Sequence, residues 1–161
     1  MGADRVANAF GGIPAALKRR TMVNRKLADI VEGQKLLVLP ERATVQEACR
    51  CMWDCRVGSV LVADDEQRLV GIFTGRDAVR ALAEGKNAPM TALAEVMTPD
   101  PITIAPECRA IDALREMNDR GFRHLPVVDC GRVLGVVSRN DFKGMEIDLL
   151  DDEDHLWECV R

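Results

Sequence analysis

Aromatic side chains make up only 4% of the 161 residues, and tyrosine is absent. Surfaces that stack on single-stranded nucleic acid need such rings, and a formal net charge of −4 also runs against the basic surplus of nucleic-acid binders. The core must be assembled from Val, Leu, Ile, Met and Ala. No apolar run approaches the roughly 20 residues of a membrane-spanning helix, so neither nucleic acid nor membrane is expected as a partner. The six cysteines, Cys49, Cys51, Cys55, Cys108, Cys130 and Cys159, contain no C-x-x-C pair. Their spacing describes neither a zinc site nor a disulfide framework, so reduced thiols and no metal are expected. With no leader legible at the start of the chain, the cytoplasm is the expected location. A phosphate loop of the G-x-x-x-x-G-K type is missing. The two histidines, His124 and His155, stand in no nucleophile–base pattern, so no enzymatic activity is expected.

Charge is distributed unevenly. Residues 1–26 carry six basic groups and one acidic group, whereas residues 142–161 carry two basic and seven acidic groups. The basic extension is expected to be partly mobile, with a helical stretch after Pro14. The acidic tail over residues 147–161 is expected to extend a helix, and the two tails have the charges to approach each other.

Between them lies an internal repeat. Thr44 to Asp77 aligns with Arg109 to Asp141 at an offset of 65, falling to 64 after one turn. The first copy closes on Gly71-Ile72-Phe73-Thr74-Gly75-Arg76-Asp77, the second on Gly135-Val136-Val137-Ser138-Arg139-Asn140-Asp141. Val45, Ala48, Cys49, Met52 and Trp53 recur at helical spacing and predict one apolar face, opened by a capping box of Thr44 and Glu47. Ala110, Ala113, Leu114 and Met117 repeat that face, with Gly121 as its stop. Apolar runs over Ser59–Ala63, Leu69–Phe73, Leu125–Val128 and Val133–Val137, each pair split by a polar turn, predict two β-hairpins. Leu36–Leu39 and Ile102–Ile104 predict leading strands; Asp77–Ala83 and residues 141–150 predict second helices. The unit is therefore β-α-β-β-α used twice, over residues 27–86 and 87–146. A copy of that size cannot cover both faces of its sheet, so the expected fold is α/β, sheet packed to sheet with pseudo-twofold symmetry and helices outside.

The paired Gly-h-h-Thr/Ser-x-x-Asp closures, Val96-Met97-Thr98-Pro99 and Arg123-His124-Leu125-Pro126-Val127 together resemble a tandem cystathionine-β-synthase (CBS) domain pair, or Bateman module. The resemblance implies clefts between the repeats that bind AMP, ADP or ATP, or else NAD(H) or S-adenosylmethionine. It also implies a homodimer and regulation of a protein target, here in trans, in response to energy or redox state. Ser138 and Asp141 are the first candidates for the nucleotide, Thr74 and Asp77 the second. A hydroxyl can bond a ribose or phosphate oxygen, a carboxylate three residues on can accept from both ribose hydroxyls, and a helix start suits phosphate. Arg123, His124 and Arg139 could meet phosphate, Leu36–Leu39 or Ile102–Ile104, with Ile102 and Thr103, could cover the adenine, and Pro126 is a further nucleotide-binding candidate. Each Thr/Ser–Asp pair also suits an ordinary helix cap. Two departures stand out: Arg109 replaces the threonine seen at Thr44, and the first copy has no counterpart of Pro126. A ligand-independent adaptor, or a thiol- or metal-responsive module using the pairs four residues apart, Cys51 and Cys55 or His155 and Cys159, are the alternatives.

Overall fold

The computed structural model describes residues 25–142. Over these the chain runs α1 (Leu27–Val31), β1 (Val38–Pro40), α2 (Val45–Cys55), β2 (Ser59–Ala63), β3 (Leu69–Thr74) and α3 (Gly75–Ala83). It continues through a 3-10 turn (Leu93–Glu95), β4 (Thr98–Pro99), α4 (Ala110–Arg120), β5 (His124–Asp129), β6 (Arg132–Ser138) and a second 3-10 turn (Arg139–Asp141). The helical stretches expected after Pro14, beyond Phe142 and in the acidic tail lie outside the described residues.

Local chemistry sets the helix ends. At α2 the Glu47 N–H donates to Thr44 Oγ1 (3.2 Å) and the Thr44 N–H to Glu47 Oε2 (2.7 Å), closing the expected capping box. At α4 the cap is Arg109, whose N–H reaches Asp112 Oδ2 at 3.4 Å while its guanidinium grips the same carboxylate at 3.1 Å. Gly121 ends α4 with φ 72°, the left-handed conformation that glycine adopts without steric cost. Trp53 corrects the expected apolar face of α2: it is 83% exposed, whereas Val45, Ala48 and Met52 are buried. At 100° per residue it sits about 80° round the helix from Val45, at the edge of the stripe.

β1 runs parallel to β2, with Val38 beside Leu61. β2 and β3 pair antiparallel, as do β3 and β4, with Ile72 beside Thr98. The second sheet is the antiparallel pair β5–β6. Its leading strand, expected over Ile102–Ile104, shrinks to one parallel bridge between Ile104 and Val127. Flanking prolines Pro101 and Pro106 supply no N–H to lengthen it. Where β4 borders β3, no strand among the described residues borders β6. Instead the Gln34 side chain donates to the Val136 carbonyl (3.1 Å) and accepts from the Val136 N–H (3.0 Å), so one amide group imitates a strand edge.

Alternation along the strands separates two faces. Val60, Val62 and Phe73 belong to a core under α2 and α3; Leu125, Val127 and Val137 belong to a second core under α4. The intervening Leu61, Ile72 and Pro126 are buried yet belong to neither core, because they face the opposite half. This is the expected α/β fold of two repeats, sheet to sheet with helices outside.

The segments that precede each copy cross over. Leu27 and Val31 of α1 fill the second core, where Leu27 N–H bonds the Cys108 carbonyl (2.9 Å) and Ala110 N–H the Arg25 carbonyl (2.8 Å). Leu93 and Val96 fill the first core, where Leu93 N–H bonds the Ala43 carbonyl (2.8 Å). Two glycines receive the crossing side chains: a Cβ on Gly135 would meet Val31, and one on Gly71 would meet Met97.

Candidate functional site

The two closing motifs place the same chemistry at equivalent points and then diverge. At the end of β6 the Ser138 N–H and Oγ–H both donate to Asp141 Oδ2, at 2.6 and 2.8 Å. At the end of β3 the Thr74 N–H and Oγ1–H both donate to Asp77 Oδ2, at 2.9 and 2.8 Å. Each hydroxyl has thus spent its hydrogen on its own aspartate and presents lone pairs outward. The second carboxylate oxygen differs. Asp77 Oδ1 accepts from Arg80 Nη2 (3.0 Å), which also donates to the Val96 carbonyl (2.6 Å), and the residue is only 6% exposed. Asp141 is half-buried, and among the described residues nothing donates to its Oδ1.

Two clefts flank the line where the sheets meet. One, of about 670 Å³, takes Ser138, Arg139, Asn140 and Asp141 from the second copy and Lys35 to Leu37 and Arg56 to Ser59 from the first. The other, of about 690 Å³, takes Thr74 to Asp77 from the first copy and Asp100 to Ile102 and Phe122 to His124 from the region of the second. Both fall in the size range of pockets for small metabolites, and both require the two halves to be assembled. Gly58, Arg123 and His124 border both clefts. The imidazole lies so close to Gly58 that a Cβ there would sit 2.8 Å from His124 Nε2. Burial holds the His124 pKa below the usual histidine value, with the Arg123 charge adding to the depression and the Asp141 carboxylate opposing it.

The expected residues therefore divide. Ser138, Asp141 and Arg139 border the first cleft, Thr74, Asp77 and Ile102 the second, and Arg123 with His124 border both. Thr103 is exposed and borders neither, and Pro126 is buried in β5, where its carbonyl accepts the Ile104 N–H at 3.0 Å. Gln34, Lys35, Arg56, Asp100 and Phe122 were not singled out from the sequence. The repeat offset held the signal: Phe122-Arg123-His124 stand opposite Val57-Gly58-Ser59, and a side of one cleft implies its mate in the other. Cys51 and Cys55 lie on α2 away from both clefts. Among the described residues no three His, Cys, Asp or Glu side chains converge as a metal site, and no helix is long and apolar enough to cross a membrane.

Comparison with known proteins gives these clefts a context. The CBS domain matches twice, over residues 27–84 and 93–145. The CBS domain-containing protein CBSCBSPB3 of Arabidopsis thaliana is 41% identical over 104 residues, covering 64% of this chain and 19% of the relative, so the chain spans about a fifth of that protein. Among solved structures, the CBS domain protein PAE2072 of Pyrobaculum aerophilum, complexed with AMP, superposes with a TM-score of 0.71 at 24% identity. The match covers 80% of this chain and 99% of that one. The CBS domain pair of protein MJ0100, in complex with 5′-methylthioadenosine and S-adenosyl-L-methionine, gives 0.68 at 24% identity, covering 81% and 98%. Two matched domains, a duplicated half-unit and clefts shared between the halves lead to one conclusion: the chain belongs to the CBS-domain family, as a tandem pair.

Proposed function

We propose that this chain is a regulatory module, without catalysis of its own, that binds an adenine nucleotide in the cleft bordered by Ser138 and Asp141 and signals its presence to a protein target in trans. One observation carries the reading. Among the described residues nothing donates to the second carboxylate oxygen of Asp141, which lies beside the outward lone pairs of Ser138, in a cleft also bordered by Lys35, Arg56, Arg123 and Arg139. The carboxylate can accept from ribose hydroxyls, the basic groups can meet phosphate, and Leu36 and Leu37 can cover an adenine face. The AMP complex of the Pyrobaculum protein and the adenosyl ligands of the MJ0100 pair support an adenosyl ligand here. AMP, ADP and ATP fit the basic lining best, so the signal read is energy state, in the cytoplasm.

Because the cleft draws on both halves, a ligand that bridges them favours one relative arrangement, and a target that prefers that arrangement feels the ligand. A homodimer belongs to the same reading. Trp53 on α2 and Val79 and Leu82 on α3 are 83%, 67% and 79% exposed, large apolar side chains that a second copy would cover. Calorimetric titration with AMP, ATP, NADH and S-adenosylmethionine tests the proposal. A ligand at 100 times its dissociation constant should add about 2.7 kcal/mol of stability, and Asp141→Ala should lose that gain. Absence of binding by all four would refute it and favour a ligand-independent adaptor.

A further inference from the structure

The two clefts are alike in size and unlike in charge. Around the first, Lys35, Arg56, Arg123 and Arg139 face a single carboxylate, Asp141. No acidic side chain pairs with any of these four basic residues among the described ion pairs. Around the second, Arg76 and Arg123 face Asp77 and Asp100, and the Arg76 guanidinium is already tied to the Gly121 carbonyl at 3.2 Å. The rest of that lining is largely apolar, with Ile72, Pro101, Ile102 and Phe122. Asp77 has no spare oxygen there, since Thr74 and Arg80 occupy both.

We infer that the clefts sort adenosyl ligands by charge: the Ser138–Asp141 cleft takes the phosphorylated nucleotide, and the Thr74–Asp77 cleft takes an adenine nucleoside without phosphate. The inference rests on the nucleotide-binding reading above and adds to it a division of labour. Desolvating a phosphate always costs free energy; that cost is offset where several cations with no acidic partner among the described residues surround it, and is not where cation and carboxylate already balance. An uncharged nucleoside pays no such penalty and gains from burying its faces against Ile102 and Phe122. The module would then read a ratio of two metabolites rather than the level of one.

Calorimetry on the full chain with ATP and with adenosine, each titrated into free protein and into protein saturated with the other, tests the division. Both should bind together, one molecule each per chain. Raising salt should weaken ATP and leave adenosine unchanged. Replacing Arg56→Gln and Arg139→Gln together should weaken ATP by about tenfold or more and shift adenosine by less than about twofold. Ile102→Arg should do the reverse, lowering adenosine affinity while sparing ATP. Competition between the ligands for one cleft, or equal losses of both in the double variant, would overturn the sorting and leave nucleotide binding standing. Failure of both ligands to bind would overturn the two readings together.

Discussion

Gly135→Ala is the sharpest test of how the halves are joined. A Cβ at this buried position of β6 would lie 2.6 Å from Val31 Cγ1 and 2.9 Å from Gln34 Oε1. Val31 is 3% exposed and β-branched, so it has no alternative rotamer at low cost, and α1 must move as a body. Overpacking of this kind costs about 1–3 kcal/mol. If α1 leaves altogether, the loss of burial for Leu27 and Val31 raises the cost to roughly 3–6 kcal/mol. Gly71→Ala is the internal control. At the equivalent point of β3 its Cβ would meet the sulfur and terminal methyl of Met97, an unbranched chain that can swing aside, so about 1 kcal/mol or less is expected. Urea denaturation followed by tryptophan fluorescence and circular dichroism would measure both. With a slope of about 1–3 kcal/mol per molar, an overpacking cost of that size should lower the Gly135→Ala midpoint by roughly 0.3–3 M, and Gly71→Ala by much less. Equal midpoints for the two variants, or a larger loss for Gly71→Ala, would refute the packing account.

Two further outcomes follow from the site. Asp77→Ala leaves the Thr74 N–H and hydroxyl and the Arg80 guanidinium without their shared acceptor and should destabilise the fold by about 3 kcal/mol. Asp141→Ala should cost only about 1 kcal/mol, a contrast that thermal denaturation of the two variants would reveal. His124 should impose a pH dependence. Its folded pKa lies below the ordinary value, so the unfolded chain binds more protons as pH falls through about 6.5, and stability is lost below that point while remaining level above it. Between about pH 7 and pH 5.5 the melting temperature should therefore drop, and in His124→Asn that slope should flatten. An unchanged slope would show that the imidazole is not the group responsible. The depressed pKa of Glu47 acts below this window and leaves it clean.

The fold was readable where a residue's role is decided by its neighbours in sequence. The Thr44–Glu47 box, the stop at Gly121 and the run Ser59–Ala63 came through the structure unchanged. What a sequence period cannot carry is the choice of partner. The spacing of Leu27 and Val31 is equally compatible with either core, and only assembly shows that they enter the second. Likewise an isolated Gln34 reads as a loop residue, and its service as a strand edge depends on Val136, far along the chain. The binding motifs were legible as a repeated Thr/Ser–Asp pair, yet the difference between them rests on Arg80, whose bond to the Val96 carbonyl exists only once the linker has folded back. Pro126 shows the opposite failure. A residue inside a recognisable motif is buried on the face turned away from the α4 core, because it alternates with Leu125 and Val127, and it borders neither cleft.

The crossing of α1 and the Leu93–Val96 segment has a practical outcome for anyone dissecting this molecule. Scissors applied at the boundary between the copies, after residue 86, would hand each fragment the plug that belongs to its neighbour, so neither piece would own the side chains that seal it. The pair should melt in a single step, and separately produced halves should recover order only when mixed, each lending the other its missing stopper.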